Sequence, residues 1–470
     1  MNQYFLILIA IFSFSLHLAA RDLYVNPEKG DDKANGLAAE LAEGNGPVKT
    51  LSKGLKLVKA GDTLHLAPTT YRETLQLNDT AGEEGKPIVI DGHGATINGS
   101  DPLRTDVWTE VSSGLYKSEK FLSQLQESDD PARLMRVFLI FDGKIQHMGR
   151  TSKGKKLPFK KPEDLQPGEW TFDDESKSFY IKVDGKLEDA KVEAPYRMNG
   201  VAIHGGKGGV MHVIIRNLTC IHAINDGFNF HGKCHDVVLE NIAAYENGDD
   251  GYSAHDNCDT TVNGFRASGN STGIANINES VTKLSNISLE GNYAFEFLAG
   301  YNSVWEIRNM AIAVDCPEPF MMGYGRPEEN KYCRVKMENV QLSAQGKTSF
   351  QIKVKKNCIL EAKNMTSVGT PWFVDGSAKI TDSIISAQSV ECTADSKWES
   401  DKNNYYLTNL TFKGKKYSSA DFQEFQKTSQ TDLNSKCQPF SKDDFEKLLK
   451  TEGKPSIGAD PAEFKFPLKK

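Results

Sequence analysis

Ile215-Arg216-Asn217-Leu218 recurs as Leu239-Glu240-Asn241-Ile242, Val262-Asn263-Gly264-Phe265, Leu284-Ser285-Asn286-Ile287, Ile307-Arg308-Asn309-Met310, Met337-Glu338-Asn339-Val340, Ala362-Lys363-Asn364-Met365 and Ile380-Thr381-Asp382-Ser383. The Asn-type positions are separated by 24, 23, 22, 23, 30, 25 and 18 residues. A period near two dozen residues marks stacked structural units. Each unit holds short β-rich runs such as Val237-Val238-Leu239 and Ile287-Ser288-Leu289, divided by Gly, Asn and Asp turns. No ten-residue amphipathic helix lies between them, which excludes leucine-rich and helical solenoids. The architecture that remains is all-β: a right-handed parallel β-helix, a solenoid whose every turn adds one strand to each of about three sheets. The 30-residue step predicts a loop around Gly323–Lys331.

Outside the repeat, residues 50–60 alternate apolar and basic residues at helical spacing before Gly61, which predicts a helix capping the N-terminal end. Residues from about 104 to 195 carry strand-like runs, Val137–Phe141 and Phe179–Val183, and turns at Asp142-Gly143 and Asp184-Gly185. They predict a small β-rich insertion. The parallel β-helix is expected to occupy residues 21–470, with an end region over about 392–470. Tyr4–Leu16 is an apolar run broken only by Ser13 and Ser15, and Leu18-Ala19-Ala20 offers a small-residue cleavage site. That predicts a signal peptide over residues 1–20 and a secreted, periplasmic or cell-surface protein, since the run is too short to span a bilayer.

The chain has 470 residues and a net charge of −7, which argues against a nucleic-acid partner. A mean hydropathy of −0.47 excludes a polytopic membrane protein. A monomer is expected. Eight cysteines in an exported chain permit disulfides, and Cys234 and Cys258 occupy equivalent places in adjacent turns, compatible with a disulfide or a ladder of free thiols. No CxxC pair supports a zinc ribbon.

Candidate chemistry concentrates in two turns that align without a gap. Asn225-Asp226-Gly227-Phe228-Asn229-Phe230-His231-Gly232-Lys233-Cys234 lies 24 residues before Asp249-Asp250-Gly251-Tyr252-Ser253-Ala254-His255-Asp256-Asn257-Cys258. Asp226 should stack under Asp250 and His231 under His255, about 4.8 Å apart. With Phe228, Phe230, Tyr252 and Ala254 in the lumen, strand alternation turns Asn229, His231, Ser253 and His255 outward, as a solvent-facing stripe. Two carboxylates this close resist double ionisation and split into an acid and a base. Asp226, Asp250, His231 and His255 are therefore the catalytic candidates, although Asp before Gly also serves turn geometry alone. Asp249, Asp256, Lys233 and Glu296 are candidate substrate contacts. Asp249, Asp250 and Asp256 could instead gather Ca²⁺; no cofactor is required by the sequence. The histidines lack the spacing of a zinc site. Glu296 falls near the same turn position, two rungs or about 10 Å from Asp250. That approaches the roughly 6.5–9.5 Å of an inverting glycosidase pair, while Asp226 and Asp250 lie nearer the short spacing of a retaining pair. Six basic residues in Arg150–Lys161 could draw in an anionic polymer.

The sequence also resembles the right-handed parallel β-helix family of exported polysaccharide lyases and glycoside hydrolases, which share the pectin-lyase-like fold. The likeness rests on Asp22–Pro27, Pro47–Leu51, Ala60–Leu64 and Lys86–Ile90 at the start, and on Asn403–Tyr406, Gly414–Tyr417 and Ile457–Pro461 at the end. Asn225-Asp226 with Asp249-Asp250 is similar to part of the pattern of polygalacturonases, which use Asp residues on adjacent turns, but no Gly-His-Gly or Arg-x-Lys follows. The resemblance implies a carbohydrate-active enzyme, with hydrolysis of an acidic polysaccharide as the leading expectation. The alternatives are a lyase using His231, Lys233 or Arg266 as base, and a glycan-binding protein without catalysis.

Overall fold

The computed structural model describes residues 19–126, 133–154, 156–314, 316–326, 328, 330–344, 351–449 and 457–466. The expected leader lies outside these residues except for Ala19 and Ala20.

The chain forms the right-handed parallel β-helix that the repeat predicts. Every position of the repeat has a geometric reason. Asn217, Asn241, Asn286, Asn309, Asn339, Asn364 and Asp382 have φ between 51° and 59°, and Gly264 has φ 81°. These are left-handed corners, where Asn, Asp and Gly are tolerated and β-branched residues are not. Seven of these corners fall inside long bent strands, Val201–Ile221, Phe228–Tyr245, Asn257–Ser268, Val281–Glu290, Val304–Val314, Cys333–Ala344 and Cys358–Val368, and Asp382 lies between Ser377–Thr381 and Ile384–Cys392. The apolar residue two before each corner pairs in parallel with its counterpart on the next turn: Ile215 with Leu239, Leu239 with Val262, Val262 with Leu284, Leu284 with Ile307. All are buried, so stacking turns fill one continuous lumen. At the corners the amides form a ladder: Asn241 Nδ2 donates to Asn217 Oδ1 at 2.8 Å, and Asn339 Nδ2 to Asn309 Oδ1 at 2.7 Å.

A second ladder lies buried at another bend. Asn247 N donates to Asn270 Oδ1 at 3.0 Å, Asn270 N to Asn292 Oδ1 at 3.0 Å, and Asn292 N to Glu296 Oε1 at 3.0 Å. Each amide satisfies a bend N–H that the strand ladders leave over.

The N-terminal helix forms at Leu51–Leu57. Thr50 caps it by accepting from Lys53 N, and Leu51 packs in the same core as Leu23 and Val25. At the other end the helix Phe422–Ser429 sets Phe422 and Phe425 against Tyr405, Phe412 and Tyr417. Residues 457–466 run back along the corner ladder, with Asp460 N on Asn339 Oδ1 and Lys465 N on Asn286 Oδ1.

The insertion begins slightly earlier than expected. Ser100–Pro102, Leu139–Phe141, Lys144–Gln146 and Val192–Pro195 form one antiparallel sheet, and Thr109–Ser112, Leu115–Ser118, Glu169–Asp173 and Ser178–Lys182 form another. Phe121, Trp170, Phe172 and Phe179 give it a core of its own. Seven of the eight cysteines are buried, and Cys234 and Cys258, register neighbours within the lumen, stand as two thiols rather than a disulfide.

Candidate active site

The site lies on the face formed by Val201–His204, Phe228–Phe230, Tyr252–Ala254 and Ile274–Asn276. Phe228, Phe230, Tyr252 and Ala254 are fully buried in the lumen, while Asn229, His231, Ser253 and His255 line a cleft of about 580 Å³. Strand alternation is thus as the pattern predicts.

Asp226 and Asp250 stand at the entrances to consecutive strands of this face. A Cβ on the intervening Gly227 would lie 2.8 Å from Gly251 O, so the backbone admits only glycine after Asp226. Asp250 N donates to Asp226 Oδ1 at 2.9 Å, and Asn229 Nδ2 to Asp226 Oδ2 at 2.5 Å. Carboxylate oxygens of Asp226, Asp249 and Asp250 all lie within 4.8 Å of one another.

The stripe is not solvent-facing at the carboxylates. Asp226, Asp249 and Asp250 are 2%, 5% and 4% exposed. The insertion covers them: Lys153 Nζ reaches Asp249 Oδ1 and lies 2.6 Å from Asp250 Oδ1, while Arg136 Nη2 lies 3.1 Å from Asp249 Oδ2. Lys153 N is anchored on Ser271 Oγ at 3.0 Å, one turn above. Within the basic run Arg150–Lys161, Lys153 is committed to the buried acids. Arg150 stacks over Phe159 at 3.9 Å, Lys160 pairs with Glu169 at 2.6 Å, and Lys156 and Lys161 stay exposed.

Burial and these charges separate the three acids. Desolvation, then the neighbouring carboxylates Asp250 and Asp249, raise Asp226 well above the usual range. Desolvation and Asp249 push Asp250 up to about 6, against the pull of Lys153. For Asp249, Lys153 and Arg136 outweigh desolvation and hold the carboxyl below its ordinary value. Lys153 itself is raised, because the three carboxylates overcome its burial. The cluster thus joins Asp226, held well above the usual carboxylate range, and Asp250, pushed up to about 6, to Asp249, held below its ordinary value, and to the Lys153 ammonium.

His231 and His255 stack with ring centroids 4.2 Å apart. Desolvation lowers both, His255 to about 4, with His231 adding to the shift. His255 Nε2 bonds Ser253 Oγ at 2.7 Å. Both rings are therefore neutral at pH 7.

Four sequence candidates fall outside the cleft lining. Asp256 sits at a left-handed corner, φ 54°, where it accepts from Gly232 N at 2.9 Å and faces His231 Nδ1 at 3.5 Å. It orients the histidine from behind. Lys233 is exposed beside the lumenal Cys234, in register with Asn257. Arg266 lies on another face, with Nη1 on Ser288 Oγ at 3.2 Å. Glu296 is fully buried as the end of the second amide ladder. The register partner of Asp250 two turns on is Phe295, through Thr272. Glu296 is one residue out of phase, and a one-residue slip turns a strand side chain to the opposite face. No inverting pair of Asp250 with Glu296 can form.

Lys153 and Arg136 escaped the sequence reading. Lys153 had a weak signal, a basic run in an acidic protein nearly a hundred residues from the acids it meets, and Arg136 had none.

No family model matches the sequence, and no curated protein matches it. Among solved structures, the chain is similar to XylC in complex with xylose, with 10% identity over 88% of this chain and 86% of that one, at a TM-score of 0.50. It also aligns with a glycoside hydrolase, 11% identical over 94% and 99% at a TM-score of 0.45, and with a GH136 lacto-N-biosidase from Eubacterium ramulus, 10% identical over 89% and 68% at 0.44. At such identities the likeness to XylC bears on the fold alone, which is the parallel β-helix already described.

Proposed function

We propose that this protein is an exported glycoside hydrolase that cleaves a polysaccharide in the cleft over Asp226 and Asp250. The observation that carries the reading is a buried group of carboxylate oxygens within 4.8 Å of one another, in which Asp226 is raised well above the usual range and Asp250 is pushed up to about 6. Glycosidic cleavage needs such a pair, an acid to protonate the leaving oxygen and a carboxylate to take a proton from water or to attack the anomeric carbon. Asp226 is the acid and Asp250 the base or nucleophile. Asp249, with Lys153 and Arg136, sets the field around them. The fold shared with XylC supports a saccharide substrate. Among the described residues of the basic run, the exposed Lys156 and Lys161 support an anionic polymer.

One observation favours a second reading, β-elimination from a uronate polymer: His231 and His255 are neutral in the same cleft and are able to take a proton from C5. Incubating the purified protein with pectic, alginate, xylan and host-glycan polymers separates the two. Reducing ends without ultraviolet absorbance mean hydrolysis, and reducing ends with the absorbance of an unsaturated uronide mean elimination. Reducing-end release unchanged in Asp250→Asn would overturn this site. Binding without release in the wild type would leave a glycan-binding protein.

A further inference from the structure

A second group of ionisable side chains lies at the N-terminal end of the solenoid. His65, on the strand Thr63–Leu66, is in register with Asp91 of the next turn, and Asp91 with Arg216 of the turn after. Where Asn217 makes its corner in one residue, the turn below widens the corner to Gly92-His93-Gly94. A Cβ on Gly92 would lie 2.4 Å from Asn217 O, so only glycine passes there, and His93 takes the left-handed conformation with φ 49°. Its ring meets that of His65. His65 Nδ1 and His93 Nε2 are 2.9 Å apart, with ring centroids at 5.2 Å and planes 19° apart. The other nitrogen of each ring faces a carboxylate: His65 Nε2 lies 2.9 Å from Asp22 Oδ1, and His93 Nδ1 lies 3.6 Å from Asp91 Oδ1. Arg216 Nε, 2.7 Å from Asp91 Oδ2, holds that carboxylate in place. A carboxylate favours an N–H on the nitrogen it faces, and a neutral imidazole has only one. With both outer nitrogens protonated, the two inner nitrogens turn lone pairs toward each other. A positive centre between them relieves this, and Asp22 and Asp91 balance its charge.

The geometry points to a binding site for a divalent transition-metal ion between His65 Nδ1 and His93 Nε2, with water in its remaining positions. Imidazole nitrogens suit Zn²⁺, Cu²⁺ and Ni²⁺ rather than Ca²⁺ or Mg²⁺. A carboxylate behind each histidine is the arrangement that fixes the tautomer of a metal-bound ring and raises its basicity. Two Zn–N bonds of about 2.0–2.1 Å at a tetrahedral angle set the nitrogens about 3.3 Å apart. The pair therefore has to open by only about 0.4 Å. The side chain of His93, 46% exposed on a corner flanked by glycines, has room for that movement. The two rings border a cleft of about 380 Å³ together with Tyr24, Asn26, Pro47 and Pro68, which gives the ion a way in. A bound ion ties the strand Thr63–Leu66 to the corner of the next turn. None of Asp22, His65, Asp91 and His93 lines the cleft over Asp226 and Asp250, so the inference stands apart from the hydrolytic reading.

The test is calorimetric titration of the whole protein with Zn²⁺, repeated with Co²⁺ so that visible absorption reports the ligand field. The wild type should bind the ion, and its melting temperature should rise with added Zn²⁺. His65→Gln and His93→Asn should each remove that binding and the rise in melting temperature. Asparagine accepts the left-handed corner, so His93→Asn keeps the fold, and circular dichroism checks this. Asp22→Asn should weaken binding by about 10–100-fold, the usual effect of losing the carboxylate behind a ligating histidine. The double variant His231→Gln with His255→Gln, which removes the stacked pair in the other cleft, should bind as the wild type does. No binding to the wild type leaves a shared proton between the rings and overturns the inference. Binding that survives both His65→Gln and His93→Asn, or that is lost only with His231 and His255, overturns it as well.

Discussion

Lys153 Nζ lies 2.6 Å from Asp250 Oδ1, across 97 residues of sequence, and brings a positive charge into a cluster of three buried carboxylates. The insertion thus supplies the counter-charge for acids that the solenoid supplies. Replacing Lys153 with Met removes the attraction that opposes the rise of Asp250 and holds Asp249 ionised. Both carboxyls move up, so the acidic limb of the pH–rate profile shifts to higher pH, and global stability falls by about 3–5 kcal/mol, as for a broken buried pair. A pH series of kcat with urea unfolding checks both.

The place of the ammonium suits a hard cation once the lysine is gone. Lys153→Ala leaves carboxylate oxygens within 4.8 Å of one another with Arg136, on the outer oxygen of Asp249, as their remaining counter-charge. Ca²⁺ should bind the variant measurably by calorimetry and recover part of its lost stability. An absence of binding to the variant counts against the reading of Lys153 as the cluster's cation.

Asp226→Asn and Asp250→Asn should each lower kcat by about 10²–10⁴-fold, the scale of general acid–base catalysis, with the fold retained by circular dichroism. Glu296→Gln should leave kcat nearly unchanged, since Glu296 ends a buried ladder away from the cleft. Comparable losses in all three variants would contradict the assignment of roles.

Asn270→Ala removes the middle of that ladder. Asn270 Oδ1 accepts from Asn247 N and Nδ2, and Asn270 Nδ2 donates to Asn292 Oδ1, all fully buried. At about 1–3 kcal/mol for each buried group left unpaired, the loss should exceed about 2 kcal/mol in urea unfolding.

His147, half-buried between Phe138 and Tyr293 where the insertion meets the solenoid, is lowered to about 4 because desolvation of its ring disfavours the charge. A depressed histidine means that the unfolded chain binds the proton first. Its contribution to stability is therefore complete above about 6.5 and is lost as pH falls toward 4. The raised acids Asp226 and Asp250 act in the opposite sense, since protonation relieves them. The melting temperature of His147→Gln should fall less than that of the wild type between pH 6.5 and 4, and equal slopes would contradict this account.

Much of the architecture is legible in the chain because a corner residue is a local requirement. A left-handed φ at Asn217, Asn241 and Asn286 selects Asn, and the apolar residue two places before it selects itself by facing the lumen. The stacking of Asp226 beneath Asp250 is legible for the same reason, since two turns of equal length keep their register. Glu296 was misread where that equality ends. Asp250 pairs with Thr272 over 22 residues and Thr272 with Phe295 over 23, and the single extra residue reverses the face. The buried Asn247–Asn270–Asn292 ladder went unread because scattered asparagines near glycines look like ordinary turns.

Strand alternation and turn period depend on neighbours within the chain, so residue order alone specifies the solenoid, its corners and the alignment of its acids. Burial and protonation depend on whatever lies within a few ångströms, whichever segment supplies it. Only the tertiary structure brings Lys153 and Arg136 down from the insertion onto Asp249 and Asp250, closes water away from them, and raises Asp226 and Asp250 while holding Asp249 low.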